Sequence, residues 1–325
     1  MCSSRVIALL APGQGSQAPG MLTPWLELDG ARERVAAWSE SAGLDLVRLG
    51  TTADADEIKD TAVTQPLVVA LSLLAAEQLR DRFDIPAETP VAGHSVGELA
   101  AAAIAGVLSP DDAVALAAVR GREMAAACAL EPTAMSAVMG GDPDAVVSHL
   151  ESLGLDPANC NGAGQIVAAG RKPALEALAE EPLTGTKVRP LAVAGAFHTR
   201  FMAPAQEAFG AHADKVAVED PAFRLLSNAD GSVVEAGDEF VRRLVAQITR
   251  PVRWDHCMAT LTERGVRAVV EFPPAGALTG LVRRELKGTK TVALKKPEDL
   301  DKVADLLAAD SEEPAQDANI SGSDA

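Results

Sequence analysis

The sequence predicts an α/β protein in which a mostly parallel sheet is covered by helices. Short apolar runs alternate with longer helical patterns along most of the chain, which is typical of parallel strands joined by helices. With 325 residues, 48% of them hydrophobic, the chain is long enough for one large core and an insert. Residues 130–192 differ in their order of strands and helices, so the insert is predicted there.

The large domain is expected to span residues 1–129 and 193–309. Its first strand is predicted at residues 6–11, and a long apolar helix is predicted to begin at residues 64–66 and to end near Phe83. Further elements are expected in this order: a strand at 90–93, a helix from Ser109 to about Cys128, a helix after His198, a helix at 238–246, a strand at 268–272, a helix from Gly276 and a strand at 291–294. Ser109 is a clear helix start because a proline and two acids follow it.

The insert is predicted to contain the order strand, helix, strand, strand, helix, strand, which is the order of a ferredoxin-like unit. The predicted elements are a strand at 135–139, a helix at 143–153, strands at 155–159 and 165–169, a helix at 173–180 and a strand at 187–191. Residues 310–325 have no apolar periodicity and no basic residue, which predicts a disordered acidic tail.

Composition argues against several classes of protein. The formal net charge is −17, whereas a nucleic-acid binder needs a basic face to neutralise phosphates. The four cysteines form no C-x-x-C pair and no cluster with metal-ligand spacing, which predicts reduced thiols and no structural metal. The first apolar run is too short for a signal peptide, and no run approaches the length of a membrane span. We therefore expect a cytoplasmic protein that binds neither nucleic acid nor membrane, and a monomer, since nothing demands a partner subunit.

The most informative stretch is Gly93-His94-Ser95-Val96-Gly97, which joins a predicted strand to an alanine-rich helix. This is the G-x-S-x-G pattern of a nucleophile elbow, in which the serine hydroxyl is exposed at a tight turn before a helix. The glycines permit a close approach of the backbone, and the helix directs its free N–H groups and positive dipole end at the serine. The other interpretation is a glycine-rich turn capped by a serine, but the strand before and helix after favour a nucleophile.

A serine nucleophile needs a base, and His198 is the best candidate among the five histidines. It follows a loop of small residues and precedes a predicted helix, whereas His149 and His212 fall within helical surface patterns. His94 adjoins the serine, but its side chain is expected to point away from Ser95. A surface histidine at a helix start remains the alternative for His198.

Acyl transfer also requires donors for the developing oxyanion, and the backbone N–H of Val96 is the expected first donor. The loop that contains Gln14 is a candidate for the second. Arg120 interrupts an apolar stripe of its helix, where a buried guanidinium would need a carboxylate partner such as that of a substrate. Helix periodicity does not separate Arg120 from Arg122, and on this evidence a solvated or internally paired arginine is the favoured interpretation.

Seven motifs occur in order along the chain: PGQGSQ at 12–17, TQP at 64–66, GHSVGE at 93–98, RG at 120–121, NGAGQIVAAG at 161–170, AFH at 196–198 and QITRPVRW at 247–254. In this order they resemble the bacterial malonyl-CoA:acyl-carrier-protein transacylases, acyltransferases of fatty acid and polyketide synthesis. The resemblance covers about residues 5–295, and it is far more specific than the elbow alone.

The resemblance implies a serine–histidine acyltransferase with an α/β-hydrolase-like core and a ferredoxin-like insert. It implies that malonyl moves from coenzyme A to the phosphopantetheine thiol of an acyl carrier protein through a malonyl-serine, with ping-pong kinetics and no cofactor. By position, the implied roles are nucleophile for Ser95, base for His198, carboxylate clamp for Arg120, backbone oxyanion donors for Gln14 and Val96, and a main-chain carbonyl that orients the histidine for Gln247.

Phe197 directly precedes the implied base. In related domains a phenylalanine here accompanies malonyl rather than methylmalonyl selectivity, because the ring crowds an α-methyl group. One methyl group is worth about 1–3 kcal/mol of discrimination, so the preference is expected to be leaky.

Two other functions use the same features. A hydrolase would use the same nucleophile, but it needs an acid at a strand end between Ser95 and His198, and none is convincing. A non-catalytic carrier-binding subunit would bind an acyl carrier protein without acylation of Ser95. For docking of such an acidic carrier, the basic pairs 171–172, 187 with 189, and 283–284 are equally open candidates, although a solvated surface is the favoured interpretation of any one pair.

Overall fold

The computed structural model describes residues 6–308, so the prediction of a disordered tail at 310–325 lies outside the described residues. The strands are Val6–Ala11 (β1), Pro90–Gly93 (β2), Thr133–Gly140 (β3), Asp156–Gly162 (β4), Gln165–Arg171 (β5), Thr186–Pro190 (β6), Arg224–Leu225 (β7), Val252–Arg253 (β8), Val266–Glu271 (β9) and Lys290–Ala293 (β10). The α-helices are Ala31–Ala42 (α1), Leu46–Thr51 (α2), Thr61–Arg82 (α3), Gly97–Ile104 (α4), Pro110–Cys128 (α5), Pro143–Ser152 (α6), Lys172–Glu180 (α7), Ala203–Ala213 (α8), Gly237–Gln247 (α9), Trp254–Glu263 (α10), Ala277–Glu285 (α11) and Asp301–Ala308 (α12).

The larger core is built on a parallel sheet with the strand order β10-β9-β1-β2-β7. Its central strand, β1, pairs Leu9 with Val91 of β2 on one side and with Val270 of β9 on the other. All three side chains are buried, as expected for a parallel sheet that helices cover on both faces. The predicted α/β class with a mostly parallel sheet is confirmed.

A second sheet has the strand order β6-β3-β5-β4-β8. Its first four strands are antiparallel to their neighbours, and they follow the predicted order of strands and helices between residues 130 and 192. The fifth strand, β8, comes from outside that segment and pairs in parallel with β4. This pairing attaches the second sheet to a part of the chain that the sequence analysis assigned to the large domain.

The long helix α3 begins earlier than predicted. The expected start at residues 64–66 is wrong, because Asp60 is the N-cap and its carboxylate accepts the Ala62 N–H at 2.9 Å. Pro66 therefore lies inside the helix. The statement that no apolar run approaches a membrane span is also wrong by length and composition, since α3 passes that test. However, 78% of its most apolar 18-residue window is buried inside the protein, as in the core helix of a globular domain.

The helix start predicted at Ser109 is confirmed. The Ser109 hydroxyl accepts the Asp112 N–H at 3.0 Å, and α5 ends at Cys128 as expected. By contrast, α1 and α10 were not predicted. Their starts carry no side-chain cap: α1 follows a glycine in the left-handed region, and α10 begins immediately after β8. A cap alone did not decide the outcome, because α2 was missed although Asp45 caps it, whereas α7 and α9 have no side-chain cap and were predicted.

The turn between β2 and α4 depends on two glycines that contact backbone. A Cβ on Gly93 would lie 2.1 Å from the carbonyl carbon of Gly97, and a Cβ on Gly97 would lie 2.3 Å from the carbonyl oxygen of Ala11. The N–H of His94 also donates to the Ala11 carbonyl at 2.9 Å. The first turn of α4 therefore packs directly against the end of β1, with no room for side chains.

Substitution Gly97→Ala is expected to lower the free energy of unfolding by about 2–3 kcal/mol, because the added methyl group overlaps backbone that cannot move without disturbing the sheet. The measurement is chemical denaturation. Gly280→Ala is the matched control: its Cβ would meet only the end of the Arg284 side chain, at 3.9 Å. In that helix interior we expect stability to be unchanged or higher by about 0.5–1 kcal/mol. Equal stability of the Gly97 variant and the wild type would contradict the packing argument.

Candidate active site

Ser95 lies at the turn between β2 and α4 with a φ of 55°, a left-handed conformation that is uncommon outside glycine. The Asn228 side chain secures this turn: its Oδ1 accepts the Ser95 N–H at 2.9 Å and its Nδ2 donates to the Gly93 carbonyl at 2.7 Å. The hydroxyl consequently projects from the end of the central parallel strands into a cavity.

The Ser95 hydroxyl is in hydrogen-bond contact with His198, whose Nε2 lies 2.7 Å from Oγ. His198 is 4% exposed and also has a left-handed backbone, with a φ of 60°. Its Nδ1 lies 2.8 Å from the main-chain carbonyl of Gln247, which can only accept, so Nδ1 carries the proton. Nε2 is then an acceptor for the serine O–H, as a general base requires.

The other histidines considered as the base for Ser95 lie elsewhere or make other contacts. The His94 ring turns to Asn161, with Nε2 2.9 Å from Oδ1, and packs edge-on against Trp254 at a centroid distance of 5.5 Å. His212 lies on α8 with its Nδ1 2.9 Å from the Ala208 carbonyl, and His149 lies on α6 with its Nε2 atom buried. Among the described histidines, His198 is therefore the one that contacts the serine hydroxyl.

Burial, with a smaller contribution from the positive charge of Arg120, lowers the pKa of His198 to about 3. The imidazole is therefore neutral in the free protein at physiological pH. A neutral imidazole is the form that can accept a proton from serine, so burial keeps His198 in the protonation state that a general base needs.

Arg120 is 2% exposed and faces the same cavity. Its Nη2 lies 3.3 Å from Ser95 Oγ and 2.8 Å from Gln247 Oε1, and its Nη1 donates to Gln65 Oε1 at 2.8 Å. Burial lowers the pKa of Arg120 to about 10, so the guanidinium stays charged at neutral pH. Arg122 is exposed and pairs with Glu123 at 2.9 Å. The structure thus distinguishes two arginines that periodicity could not.

Among residues 6–308, no carboxylate lies within ion-pair distance of Arg120. The groups that accept hydrogen bonds from its guanidinium are the neutral side-chain amides of Gln65 and Gln247 and the hydroxyl of Ser95. A buried cation of this kind attracts an anion that enters the cavity, and the planar fork of an arginine suits a carboxylate.

The cavity around Ser95 measures about 350 Å³. Its lining includes Gln14, Met124, Asn161, Phe197 and Ala277. The loop that contains Gln14 is close to the elbow, because a Cβ on the preceding Gly13 would lie 2.8 Å from the His94 carbonyl oxygen. In the part of the chain that the structure describes, the N–H groups of Gln14 and Val96 have no protein acceptor. The elements predicted to supply oxyanion donors therefore flank the nucleophile.

A second cavity of about 420 Å³ borders the first through Gln165 and contains Cys160 and Arg253. It is larger, but the serine, the imidazole and the guanidinium meet in the smaller cavity. Arg253 is engaged by Asp255 at 2.8 Å. Within residues 6–308, no group of three or more His, Cys, Asp or Glu side chains is arranged to hold a metal ion.

Three polar residues that surround the site had no predicted role. Glu98 is 1% exposed and contacts Gln247, Asn228 holds the elbow, and Gln65 holds Arg120. Burial raises the pKa of Glu98 to about 8, while the Asn228 N–H, the Arg120 charge and the Gln247 amide favour its ionised form. The single acid within the apolar helix α4 was a signal for Glu98. Asn228 is 133 positions from its partner Ser95 and carried no such signal.

A serine in contact with a neutral histidine, beside a buried cation in one cavity, defines a serine acyl-transfer enzyme of the α/β class. The chain belongs to the acyl transferase domain family, whose profile matches residues 9–313. It is 60% identical over 302 residues to the malonyl CoA-acyl carrier protein transacylase of Mycobacterium tuberculosis strain H37Rv, covering 93% of this chain and 100% of that relative. It is 32% identical to the Escherichia coli K12 protein of the same name, covering 89% and 96%.

Solved structures agree with this assignment. The crystal structure of MCAT from Mycobacterium tuberculosis aligns with a TM-score of 0.89 and 60% identity, covering 92% of this chain and 99% of that one. A type II PKS acyl-carrier protein has been solved in complex with its malonyl-transacylase, and a chain of that structure aligns with a TM-score of 0.87 and 28% identity, covering 92% and 99%.

The low pKa of His198 leads to a prediction about stability. The imidazole has a pKa of about 3 in the folded protein and an ordinary pKa of 6.5 in the unfolded chain. The unfolded chain therefore binds more protons between these values, and stability falls with falling pH. Between pH 7.5 and pH 5 this one histidine is expected to remove about 2 kcal/mol. In denaturation experiments, the wild type is expected to lose about that much more than His198→Gln over this range. Equal losses in the two proteins would contradict the shift.

Proposed function

We propose that this protein transfers a malonyl group from coenzyme A to the phosphopantetheine thiol of an acyl carrier protein through a malonyl-serine intermediate. The observation that carries the proposal is the meeting of three groups: Ser95 Oγ lies 2.7 Å from His198 Nε2 and 3.3 Å from Arg120 Nη2. The names of the relatives agree with it, since they are malonyl CoA-acyl carrier protein transacylases. The reaction supplies fatty acid or polyketide synthesis.

The first half-reaction begins when His198 Nε2 takes the proton of the Ser95 hydroxyl as the oxygen attacks the thioester carbonyl. The negative charge that develops on the carbonyl oxygen is accepted by the N–H groups of Val96 and Gln14. When the tetrahedral intermediate collapses, the C–S bond breaks and the coenzyme A sulfur takes the proton from His198. Malonyl remains as an ester on Ser95.

The second half-reaction repeats these steps with the carrier thiol as the nucleophile. His198 takes the thiol proton, the sulfur attacks the ester carbonyl, and the proton returns to Ser95 as the C–O bond breaks. Because the first product leaves before the carrier enters, the kinetics are ping-pong. The Gln247 carbonyl holds the Nδ1 proton in both halves, in place of the acid of a usual triad.

Arg120 binds the distal carboxylate of the malonyl group in both half-reactions. Two charge-assisted hydrogen bonds orient the substrate and favour it over neutral acyl groups. Phe197 is 5% exposed and lines the cavity. Its ring crowds an α-methyl group, which disfavours methylmalonyl by about 1–3 kcal/mol.

The finer architecture is part of the same proposal. Residues 1–129 and 193–309 form an α/β-hydrolase-like catalytic domain, and residues 130–192 form a ferredoxin-like subdomain. The all-parallel order of the first sheet and the antiparallel order β6-β3-β5-β4 of the second support this division. The protein acts as a cytoplasmic monomer and requires no cofactor, with coenzyme A and phosphopantetheine serving as substrate carriers.

Incubation of the wild type with malonyl-CoA is expected to add one malonyl group, detected by intact-protein mass. Ser95→Ala is expected to remain unmodified, and addition of an acyl carrier protein should remove the group from the wild type. Rapid hydrolysis of malonyl-CoA without a carrier would identify a hydrolase instead. Carrier binding without acylation of Ser95 would identify a non-catalytic subunit.

Arg120→Ala is expected to lower kcat/KM for malonyl-CoA by about 100-fold or more, because two charge-assisted hydrogen bonds of about 1.5–3 kcal/mol each are lost. The rate with acetyl-CoA should change little, since that donor has no carboxylate. Arg120→Lys keeps the charge but not the fork, so an intermediate loss is expected. Steady-state rates with both donors provide the measurement. A parallel loss for malonyl and acetyl donors would show that Arg120 does not bind the carboxylate.

A further inference from the structure

Glu98 is a buried acid that the mechanism above does not use. We propose that Glu98 is a positioning residue: it orients the Gln247 amide toward Arg120 and keeps the compensating negative charge one amide away from the guanidinium. This inference rests on the proposed malonyl transfer and deepens it, because it explains how the cation stays available to a substrate carboxylate.

The hydrogen bonds of Glu98 determine which way the Gln247 amide faces. One carboxylate oxygen of Glu98 accepts the Asn228 backbone N–H at 2.5 Å, and the other accepts Gln247 Nε2 at 2.6 Å. Above the Glu98 pKa of about 8 the ionised carboxylate can only accept, so the NH₂ group of Gln247 faces it. The amide oxygen then faces the opposite way, where it accepts Arg120 Nη2 at 2.8 Å.

Gln247 connects this pair to the rest of the catalytic site. Its main-chain carbonyl accepts the proton of His198 Nδ1, and its Nε2 lies 3.2 Å from the Ser95 carbonyl. Asn228 connects Glu98 to the elbow, since its backbone N–H donates to Glu98 while its side chain holds the Ser95 N–H. One carboxylate thus orders the residues behind the nucleophile, the base and the cation.

The placement of the charge has a consequence for specificity. In a direct ion pair, a protein carboxylate would compete with the substrate for the Arg120 fork. Here the fork is satisfied by the amide oxygens of Gln247 and Gln65, which are neutral and weaker acceptors. The negative charge of Glu98 still favours the buried cation from behind Gln247. A malonyl carboxylate can therefore take over hydrogen bonds that a carboxylate of the protein would retain.

The single variant Glu98→Gln tests the orientation. The Asn228 backbone N–H cannot rotate, so the oxygen of the introduced amide stays on it and the new NH₂ group faces Gln247. The Gln247 amide then turns its oxygen to this donor, and Arg120 faces N–H groups instead of an acceptor. We expect the ratio of kcat/KM for malonyl-CoA to that for acetyl-CoA to fall about tenfold or more, because the guanidinium is no longer held where it can make both hydrogen bonds to the malonyl carboxylate. The assays are run at pH 8.5, above the pKa of Glu98.

The double variant Glu98→Gln with Gln247→Glu exchanges the two groups. The Asn228 N–H, the amide N–H groups and the Arg120 guanidinium then all have acceptors. The oxygen of the amide at position 98 accepts the Asn228 N–H, and the new carboxylate at position 247 accepts both the NH₂ group at position 98 and the Arg120 fork. We expect the denaturation midpoint to recover toward that of the wild type. The KM for malonyl-CoA is expected to stay about tenfold or more above the wild-type value, because the substrate now competes with a direct ion pair.

Glu271→Gln is the matched control. Glu271 is also fully buried, and its carboxylate accepts the backbone N–H groups of Gly276, Leu278 and Thr279. This variant is expected to lower the denaturation midpoint without changing the malonyl-to-acetyl ratio.

A wild-type ratio in Glu98→Gln would overturn the inference, and so would a wild-type KM in the double variant. The ratio is measured within one preparation, so reduced yield of folded protein does not affect it, and the double variant carries the test if the single variant does not fold. Failure of the proposed function itself is separate: malonyl-CoA would then leave Ser95 of the wild type unmodified in the mass measurement.

Discussion

The contact between the Ser95 hydroxyl and the His198 imidazole is the constraint on which the rest of the site depends. Both residues adopt left-handed backbone conformations, which side chains other than glycine rarely accept. The surrounding structure holds them there: Gly93 and Gly97 let the elbow pack against the end of the central strand, and Asn228 ties the Ser95 backbone to a distant loop. The fold thus holds two residues with strained backbones so that Ser95 Oγ lies 2.7 Å from His198 Nε2.

The second constraint is the burial of a positive charge beside the nucleophile. Arg120 is surrounded by neutral acceptors on the described part of the chain, while Glu98 supplies negative charge from behind Gln247. The same positive charge also helps to keep His198 neutral. One guanidinium therefore attracts an anion that enters the cavity and favours the neutral form of the imidazole at the same time.

The two sheets contribute differently to the site. The parallel sheet supplies the elbow at the end of β2, and the parallel packing of β1 beside it positions the loop that contains Gln14. The second sheet lines the opposite wall of the cavity through Asn161, Gln165 and Val167. Strand β8 continues that sheet from the chain outside residues 130–192, so β4 pairs with β5 on one side and with β8 on the other.

Much of the fold was predictable because its signals are local. The alternation of apolar runs predicted the parallel sheet, the cap at Ser109 located α5, and the order of elements in 130–192 agreed with the structure. Helices α1 and α10 have no capping side chain and were missed, and α2 was missed although Asp45 caps it. Asp60 caps α3 and begins it earlier than predicted. Structure could therefore be predicted from the sequence where the interacting residues are neighbours along the chain.

By itself, the sequence determined the nucleophile motif, the shortlist of histidines and the family resemblance, since these reside in residue order and spacing. Only the tertiary structure decided that Arg120 rather than Arg122 enters the cavity, that His198 contacts Ser95, and that Glu98 lies behind Gln247. The physical reason is that these outcomes depend on burial and on hydrogen bonds between residues more than 100 positions apart. Periodicity along one helix carries no information about such partners.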